Sequence, residues 1–111
     1  SVVKEKLLAA TSSDTVRSRV ISGKPARMLR TQWTDAWEAP GSPGALPMPL
    51  QGLLVADAEA RIRHHQVRPL LGTPVGQIVG QMNAVEPVHV IVQRLARECQ
   101  DTLRRLAGLS G

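Results

Sequence analysis

Phenylalanine and tyrosine are absent from this 111-residue chain, and Trp33 and Trp37 are its only tryptophans. Aromatic side chains bury the largest area per residue, and a chain of this length buries a smaller fraction of its surface than a large domain does. The core must therefore be built from Leu, Val, Ile, Ala and Met. Because such a core is thin, we expect the fold to be completed by packing against another segment of polypeptide.

Three stretches place apolar side chains at helical spacing and predict amphipathic helices: residues 2–10, 50 to about 65, and 88–106. The middle helix is expected to bury one face and expose the other. The side chains expected on its buried face are Leu50, Leu53, Leu54, Ala58 and Ile62, and those expected to face away are Gln51, Glu59, Arg61 and Arg63. The last helix is expected to end at Gly108, with an apolar stripe of Val88, Ile91, Val92, Leu95, Cys99, Thr102, Leu103 and Leu106.

The remaining segments are short. Residues 15–21 are β-branched and lead into a Ser-Gly-Lys-Pro turn, which predicts a small hairpin or a strand, a turn and an extended segment. Trp33 and Trp37 suggest one or two helical turns whose indoles fill a gap. Residues 39–49 hold four of the eight prolines and predict a loop. Residues 75–82 predict a short helix, and the glycines at four-residue spacing, expected on one face for close packing, are Gly72, Gly76 and Gly80.

The predicted fold class is mainly α with a small β-hairpin, and the chain divides into residues 1–71 and residues 72–111. The formal charge is +5, but the basic residues are spread through every segment and no Phe or Tyr is present for base stacking, so we do not expect nucleic-acid binding. No apolar run approaches the roughly 18 residues of a membrane span. Cys99 is the single cysteine and cannot form an internal disulfide, so a cytoplasmic location is the default expectation. A basic helical module that binds a partner remains an alternative.

Lys24, Arg27 and Arg30 cluster around a turn that contains Gly23. Arginine offers paired donors to oxyanions, so these residues could contact a phosphate, a carboxylate or the diphosphate of a CoA-type substrate. The structural alternative is that Arg27 bonds backbone carbonyls or a carboxylate such as Asp35.

Other chemistry-bearing residues give weaker signals. Residues 72–80 are glycine-rich but match neither a P-loop nor a Gly-x-Gly-x-x-Gly fingerprint, so nucleotide binding is not expected. The histidines His64, His65 and His89 and the cysteine Cys99 lack the spacing of metal ligands, so no metal site is expected. Cys99 lies in the apolar stripe of the last helix and is expected to be a small buried hydrophobe.

The turn Ser22-Gly23-Lys24-Pro25-Ala26-Arg27-Met28-Leu29-Arg30-Thr31 follows Ser13-Asp14-Thr15-Val16, and Gly76-Gln77-Ile78-Val79-Gly80 and a final amphipathic helix come later. This arrangement resembles the C-terminal third of the nitronate monooxygenase family, formerly called 2-nitropropane dioxygenase. The family consists of FMN-dependent TIM-barrel oxidoreductases related to flavin-dependent enoyl-acyl-carrier-protein reductases. The resemblance covers nearly all of the chain but not the barrel, which typically needs about 250 residues.

The resemblance implies that this chain supplies the lid and closing helices of such an enzyme, with a missing N-terminal barrel segment as its main partner. FMN would be bound mainly by that barrel, and no catalytic or flavin-binding residue carries over to this chain. The activity implied is oxidation of alkyl nitronates with dioxygen; reduction of an enoyl- or acyl-thioester is the alternative. Lys24, Arg27, Arg30 and Gln77 are the implied substrate or lid contacts, with Gln77 close to the active-site mouth. The 111 residues alone are expected to be inactive, and self-association is left open.

Overall fold

The computed structural model describes residues 1–110. Its helices and strands are α1 (Val2–Ala9), β1 (Thr15–Ser18), β2 (Ala26–Leu29), α2 (Gln32–Glu38), α3 (Leu50–His64) and α4 (Val88–Leu109), with 3₁₀ helices at Ser12–Asp14 and Gln77–Gln81. The two strands form an antiparallel sheet. The prediction of a mainly helical chain with one small hairpin is therefore confirmed.

The hairpin owes its turn to Gly23. Its φ is 90°, and a Cβ added there would lie 2.5 Å from the Met48 backbone nitrogen and 2.6 Å from the Leu46 carbonyl oxygen. Only glycine accepts both the left-handed conformation and the close approach of the proline-rich loop. The turn is therefore clamped against residues 46–48 as well as joining the strands.

The free side of β2 is covered by a segment from much later in the chain. The Leu29 N–H donates to the Thr73 carbonyl at 3.1 Å, and the Val75 N–H donates to the Arg27 carbonyl at 3.1 Å. β2 therefore satisfies backbone groups on both of its edges.

The core lies between the hairpin, the first half of α3 and residues 71–79. Its buried apolar side chains are Val20, Met28, Leu29, Val55, Leu71 and Val79. Gln51 is 0% exposed, yet its amide is satisfied. Its Nε2 donates to the Val20 carbonyl at 2.8 Å and its Oε1 accepts from the Leu46 N–H at 2.9 Å. This side chain joins α3 to the hairpin and to the proline-rich loop.

The predicted faces of α3 are wrong for its three leucines, for Gln51 and for Glu59, which is half-buried, whereas Ala58 and Ile62 of the predicted buried face are half-buried. Gln51 and Val55 are buried, whereas Leu53 and Leu54 are 72% and 58% exposed, and Leu50 is exposed beside them. The segments packed against this part of α3 present the Val20 carbonyl and the Leu46 N–H. The side-chain amide of Gln51 can satisfy both groups, and a leucine side chain cannot. The leucine-rich side of the helix therefore points to solvent.

Two short helices are fixed by hydrogen bonds, which are local in α2 and long-range in α1. In α2, the Thr34 N–H donates to Thr31 Oγ1 at 3.3 Å and the Thr31 N–H donates to Thr34 Oγ1 at 2.9 Å, which is a reciprocal cap. The α2 indoles, Trp33 and Trp37, meet edge to face with ring centroids 6.1 Å apart. In α1, Lys6 Nζ donates to the carbonyls of Arg68 and Leu71 at 2.5 and 2.6 Å and ties this helix to residues 68–71.

The helix predicted over residues 75–82 is shorter than expected and is a 3₁₀ helix, Gln77–Gln81, that packs against Ser12–Asp14. Gly72 precedes it, so the glycines do not share a helical face. A Cβ at Gly72 would lie 3.1 Å from Thr31 Cγ2, and one at Gly80 would lie 3.2 Å from the Ser12 nitrogen. Close approach is thus required at two of these glycines, each against a different segment. The division between residues 71 and 72 stays a prediction.

α4 has the predicted apolar stripe, but none of its residues is buried. It continues one residue past Gly108 to Leu109, and Cys99 is exposed rather than buried as predicted. The prediction for Cys99 was wrong because it assumed that the stripe packs against the chain itself. Among residues 1–110, no helix is both long and apolar enough to cross a membrane.

Candidate functional site

The three predicted contact residues of the basic turn lie in different parts of the hairpin. Lys24 lies in the turn and is exposed, and its N–H donates to Ser22 Oγ at 3.3 Å. Arg27 lies on β2 and is half-buried, and its Nη1 donates to Thr15 Oγ1 at 3.0 Å. Arg30 follows the strand and is exposed.

These residues do not form a single cluster. Arg27 is the second residue of β2, whereas Arg30 lies one residue beyond the end of the strand. Asp35 binds Arg30, with 2.8 Å between Oδ1 and Nε, and this contact raises the pKa of Arg30. The carboxylate suggested as a partner for Arg27 is therefore taken by the other arginine, and Arg27 binds a hydroxyl instead.

A further cation joins Arg27 across the hairpin. Arg17 on β1 lies directly opposite Arg27 in the strand register, and Arg17 is exposed. Like charges at opposed positions destabilise a strand pair. Among the ion pairs of residues 1–110, none includes Arg17 or Arg27. The two guanidinium groups can therefore offer donors to an oxyanion from outside the chain. The pairing could have been found from the sequence by folding the hairpin about Ser22, the midpoint of the strand register.

A second basic surface was missed by sequence reasoning. Lys6, Arg30 and Arg68 line a shallow groove of about 280 Å³ together with Asp14. Burial, and then the nearby Arg68 charge, lowers the pKa of Lys6. Arg68 binds Glu5 at 2.6 Å and lowers the pKa of that carboxyl. Because each cation already has a partner in the chain, this groove is less available to an anion than the Arg17 and Arg27 pair. Because Lys6, Arg30 and Arg68 are far apart in the sequence, no local sequence pattern predicts this groove.

Gln77 is exposed at the first position of its 3₁₀ helix. Its role at an active-site mouth stays a prediction. His64 and His65 pack edge to face with ring centroids 4.8 Å apart. Within the described part of the chain, no three metal-ligating side chains converge.

The residues present do not fit a bound flavin mononucleotide by themselves. A second space, more enclosed than the groove, is a mainly apolar cavity of about 270 Å³ whose ionisable lining groups are Glu59 and Arg63. A carboxyl in that lining opposes a phosphate rather than binding it. Arg30 is already bound to Asp35, and Arg27 donates to Thr15.

Comparison with known proteins gives one similar chain. Over 114 residues, this protein is 50% identical to a Mycobacterium tuberculosis protein named "Putative monooxygenase". The match takes in 97% of this chain and 30% of the mycobacterial protein. No family model matches, and no solved structure matches. The chain therefore spans less than a third of the length of the curated relative it matches, and that relative's name points to an oxidoreductase.

Proposed function

We propose that this chain is the lid and closing-helix part of a longer FMN-dependent monooxygenase of the nitronate monooxygenase type. Two observations agree on an oxygen-using oxidoreductase: the name of the mycobacterial relative and the family resemblance of residues 13–31 and 76–80. The barrel and the flavin site belong to additional chain, because residues 1–110 offer no flavin site of their own.

The exposed apolar side of α4 carries the proposal. α4 is the longest helix, with 22 residues, and no residue in it is buried. Leu95 and Leu103 on its stripe are 60% and 61% exposed. A contiguous apolar surface of this kind on a monomer marks a contact with another protein surface. The outer ring of a barrel needs helices with one apolar stripe, and the relative has the additional length to form such a barrel.

The hairpin and the proline-rich loop would cover the substrate entrance in this arrangement. Lys24 and Arg27, which form no ion pair among residues 1–110, would provide positive charge there, which attracts an anionic nitronate, whereas the charge of Arg30 is balanced by Asp35. FMN would supply the electron transfer between the nitronate and dioxygen. The residues of this chain would bind the substrate, orient it and exclude water.

The test uses the longer protein, defined as this chain joined to the additional length present in the mycobacterial relative. We expect a flavin absorbance spectrum and oxygen uptake that depends on propyl-2-nitronate, while the 111-residue chain gives neither. A longer protein without flavin would contradict the proposal as a whole. Bound flavin without nitronate-dependent oxygen uptake would contradict only the substrate.

A second candidate, reduction of an enoyl- or acyl-thioester, is favoured by the Arg17 and Arg27 pair. Two guanidinium groups in register, neither of them in an ion pair among residues 1–110, suit the phosphates of a CoA-type substrate better than a single nitronate. The Arg27→Ala substitution distinguishes the candidates, because it should raise KM for a CoA thioester by about tenfold, leave flavin bound, and change nitronate kinetics less. If Arg27→Ala changed the KM for the nitronate and the KM for the CoA thioester by the same factor, the thioester would lose its support.

A further inference from the structure

A partly open cavity of about 270 Å³ lies between α1, the hairpin, α2, α3 and residues 70–74. Much of its wall is apolar and buried, with Val20, Met28, Leu29 and Leu71 among its lining residues. Ligand pockets are typically clefts or cavities with a mainly apolar lining and a few polar groups. All of its lining residues belong to this chain, so an inference drawn from the cavity does not rest on the proposed function.

The cavity has one polar donor without a partner. Trp33 is among the lining residues, and its indole Nε1 is buried with no hydrogen-bond partner among residues 1–110. A buried N–H that lacks an acceptor costs free energy, so native proteins almost always satisfy it. An acceptor supplied by a bound molecule would remove that cost.

The second polar group of the lining is the Glu59 carboxyl. Burial raises its pKa, while the Arg63 guanidinium and the Trp33 indole partly oppose the rise. The indole is near enough to act on this carboxyl, yet no hydrogen bond of acceptable distance and angle joins them. Because the surroundings already disfavour the charge on Glu59, they also disfavour a second negative charge in the same cavity.

Size, lining and polarity together define the ligand. A cavity of about 150 Å³ holds a benzene molecule, so this cavity has room for about ten non-hydrogen atoms. One water bridging Trp33 and Glu59 would take only about 30 Å³. We propose that the cavity binds an uncharged, mainly apolar small molecule whose oxygen atom accepts a hydrogen bond from Trp33 Nε1.

The test follows the indole N–H signals of Trp33 and Trp37 in a ¹⁵N-labelled sample by two-dimensional NMR. The probes are three molecules of matched size: acetophenone, isopropylbenzene and benzoate. Acetophenone should move the Trp33 indole proton downfield with saturation and leave the Trp37 signal in place. Isopropylbenzene, which has no acceptor, should bind without the downfield shift, and benzoate should bind at least tenfold more weakly than acetophenone.

Variants of the lining make the test specific. Trp33→Phe assigns the indole signal and should weaken acetophenone binding about two- to tenfold through the lost hydrogen bond. Ile62→Phe places a larger side chain in the cavity wall and should abolish binding. Leu53→Phe is its matched control on the exposed side of the same helix, and binding should be unchanged.

The proposal is overturned if acetophenone gives no saturable shift at Trp33, or if it shifts Trp33 and Trp37 alike. It is also overturned if folded Ile62→Phe binds acetophenone as well as the unsubstituted protein does. Should Ile62→Phe fail to fold, Glu59→Gln takes its place: removing the carboxyl should raise benzoate affinity toward that of acetophenone, and an unchanged ratio overturns the proposal. The labelling works equally in the 111-residue chain and in the longer protein, where Trp33→Phe identifies the signal.

Discussion

The hairpin region and α4 are both amphipathic, but only the hairpin region finds its packing partners within the chain. Met28 on β2 is 3% exposed and touches a core contributed by α3 and by residues 71–79. Leu95 on α4 is 60% exposed, although its helix carries an apolar stripe of the kind that normally packs against a core. The difference teaches that a strong apolar stripe identifies a surface to be covered, and that the cover can lie outside the chain that carries the stripe.

The largest expected effect separates these two regions directly. Met28→Ala should lower the free energy of unfolding of the 111-residue chain by about 3 kcal/mol, since it removes buried apolar volume. Leu95→Ala should change it by less than about 0.5 kcal/mol, since the side chain is exposed. Urea unfolding followed by circular dichroism measures both.

In the longer protein the same Leu95→Ala change should cost about 2 kcal/mol or more, because α4 would then be covered. A negligible effect in both proteins would contradict the proposed packing of α4. A large effect in the 111-residue chain would instead indicate self-association, which the concentration dependence of the unfolding midpoint would reveal.

Within the hairpin region, Gly23→Ala should destabilise the chain by about 3 kcal/mol, since a Cβ would meet the backbone of residues 46–48 in a left-handed conformation. Gly41→Ala is the matched control, because Gly41 has a similar φ of 89° and nothing within 4 Å of an added Cβ. It should cost only about 1 kcal/mol, from backbone strain alone. Equal losses in urea unfolding would mean that the clamp against the proline-rich loop contributes nothing.

A smaller effect of opposite sign is expected at Arg17. Arg17→Thr should stabilise the hairpin by about 0.5 kcal/mol, because it removes a like charge from the position opposite Arg27 and introduces a residue favoured in strands. Arg19→Thr, an exposed position outside β1, should leave stability unchanged. If both variants behave alike in thermal unfolding, the cross-strand repulsion is absent and the argument for an anionic partner loses its basis.

The smallest effect concerns pH. Burial raises the folded-state pKa of Glu59 above its ordinary value near 4.5, so ionisation of this carboxyl disfavours the folded state. The contribution of protonated Glu59 to the free energy of unfolding is fully present below that ordinary value and is lost as the pH rises through the raised folded-state pKa. Glu59→Gln should therefore raise the urea midpoint at pH 7 and leave it unchanged near pH 3. A constant difference at both pH values would point to packing rather than ionisation.

Local sequence signals predicted the elements better than their packing. The turn residues around Gly23, the four prolines of residues 39–49 and the periodicity of residues 88–106 each act over a few residues, and each predicted element is present. The buried face of α3 depends instead on Gln51 meeting a carbonyl and an N–H from two distant segments. No local sequence pattern predicts these two hydrogen bonds. A prediction from hydrophobicity alone therefore places the leucines on the buried face.

The candidate sites divide in the same way. Lys24, Arg27 and Arg30 were found because they are close in sequence, but Arg27 binds Thr15 and Arg30 binds Asp35, so the two arginines have different partners. Arg17 joins Arg27 through strand register, while Lys6, Arg30 and Arg68 come together only through the full tertiary arrangement. The cavity beside Trp33 was not predicted at all, because an unfilled volume leaves no mark in the sequence.

The contact between Glu86 and Arg94 has a mechanical consequence. Both carboxylate oxygens of Glu86 accept from Arg94 Nη1, at 2.8 and 2.7 Å, so the residue before Pro87 is fastened to the second turn of α4. The helix and Glu86 therefore turn as one stiff lever of about 30 Å. Any change in the direction of that lever must arise in the irregular residues 83–85, where a rotation of a few degrees would displace the far end by several times as much as the near end.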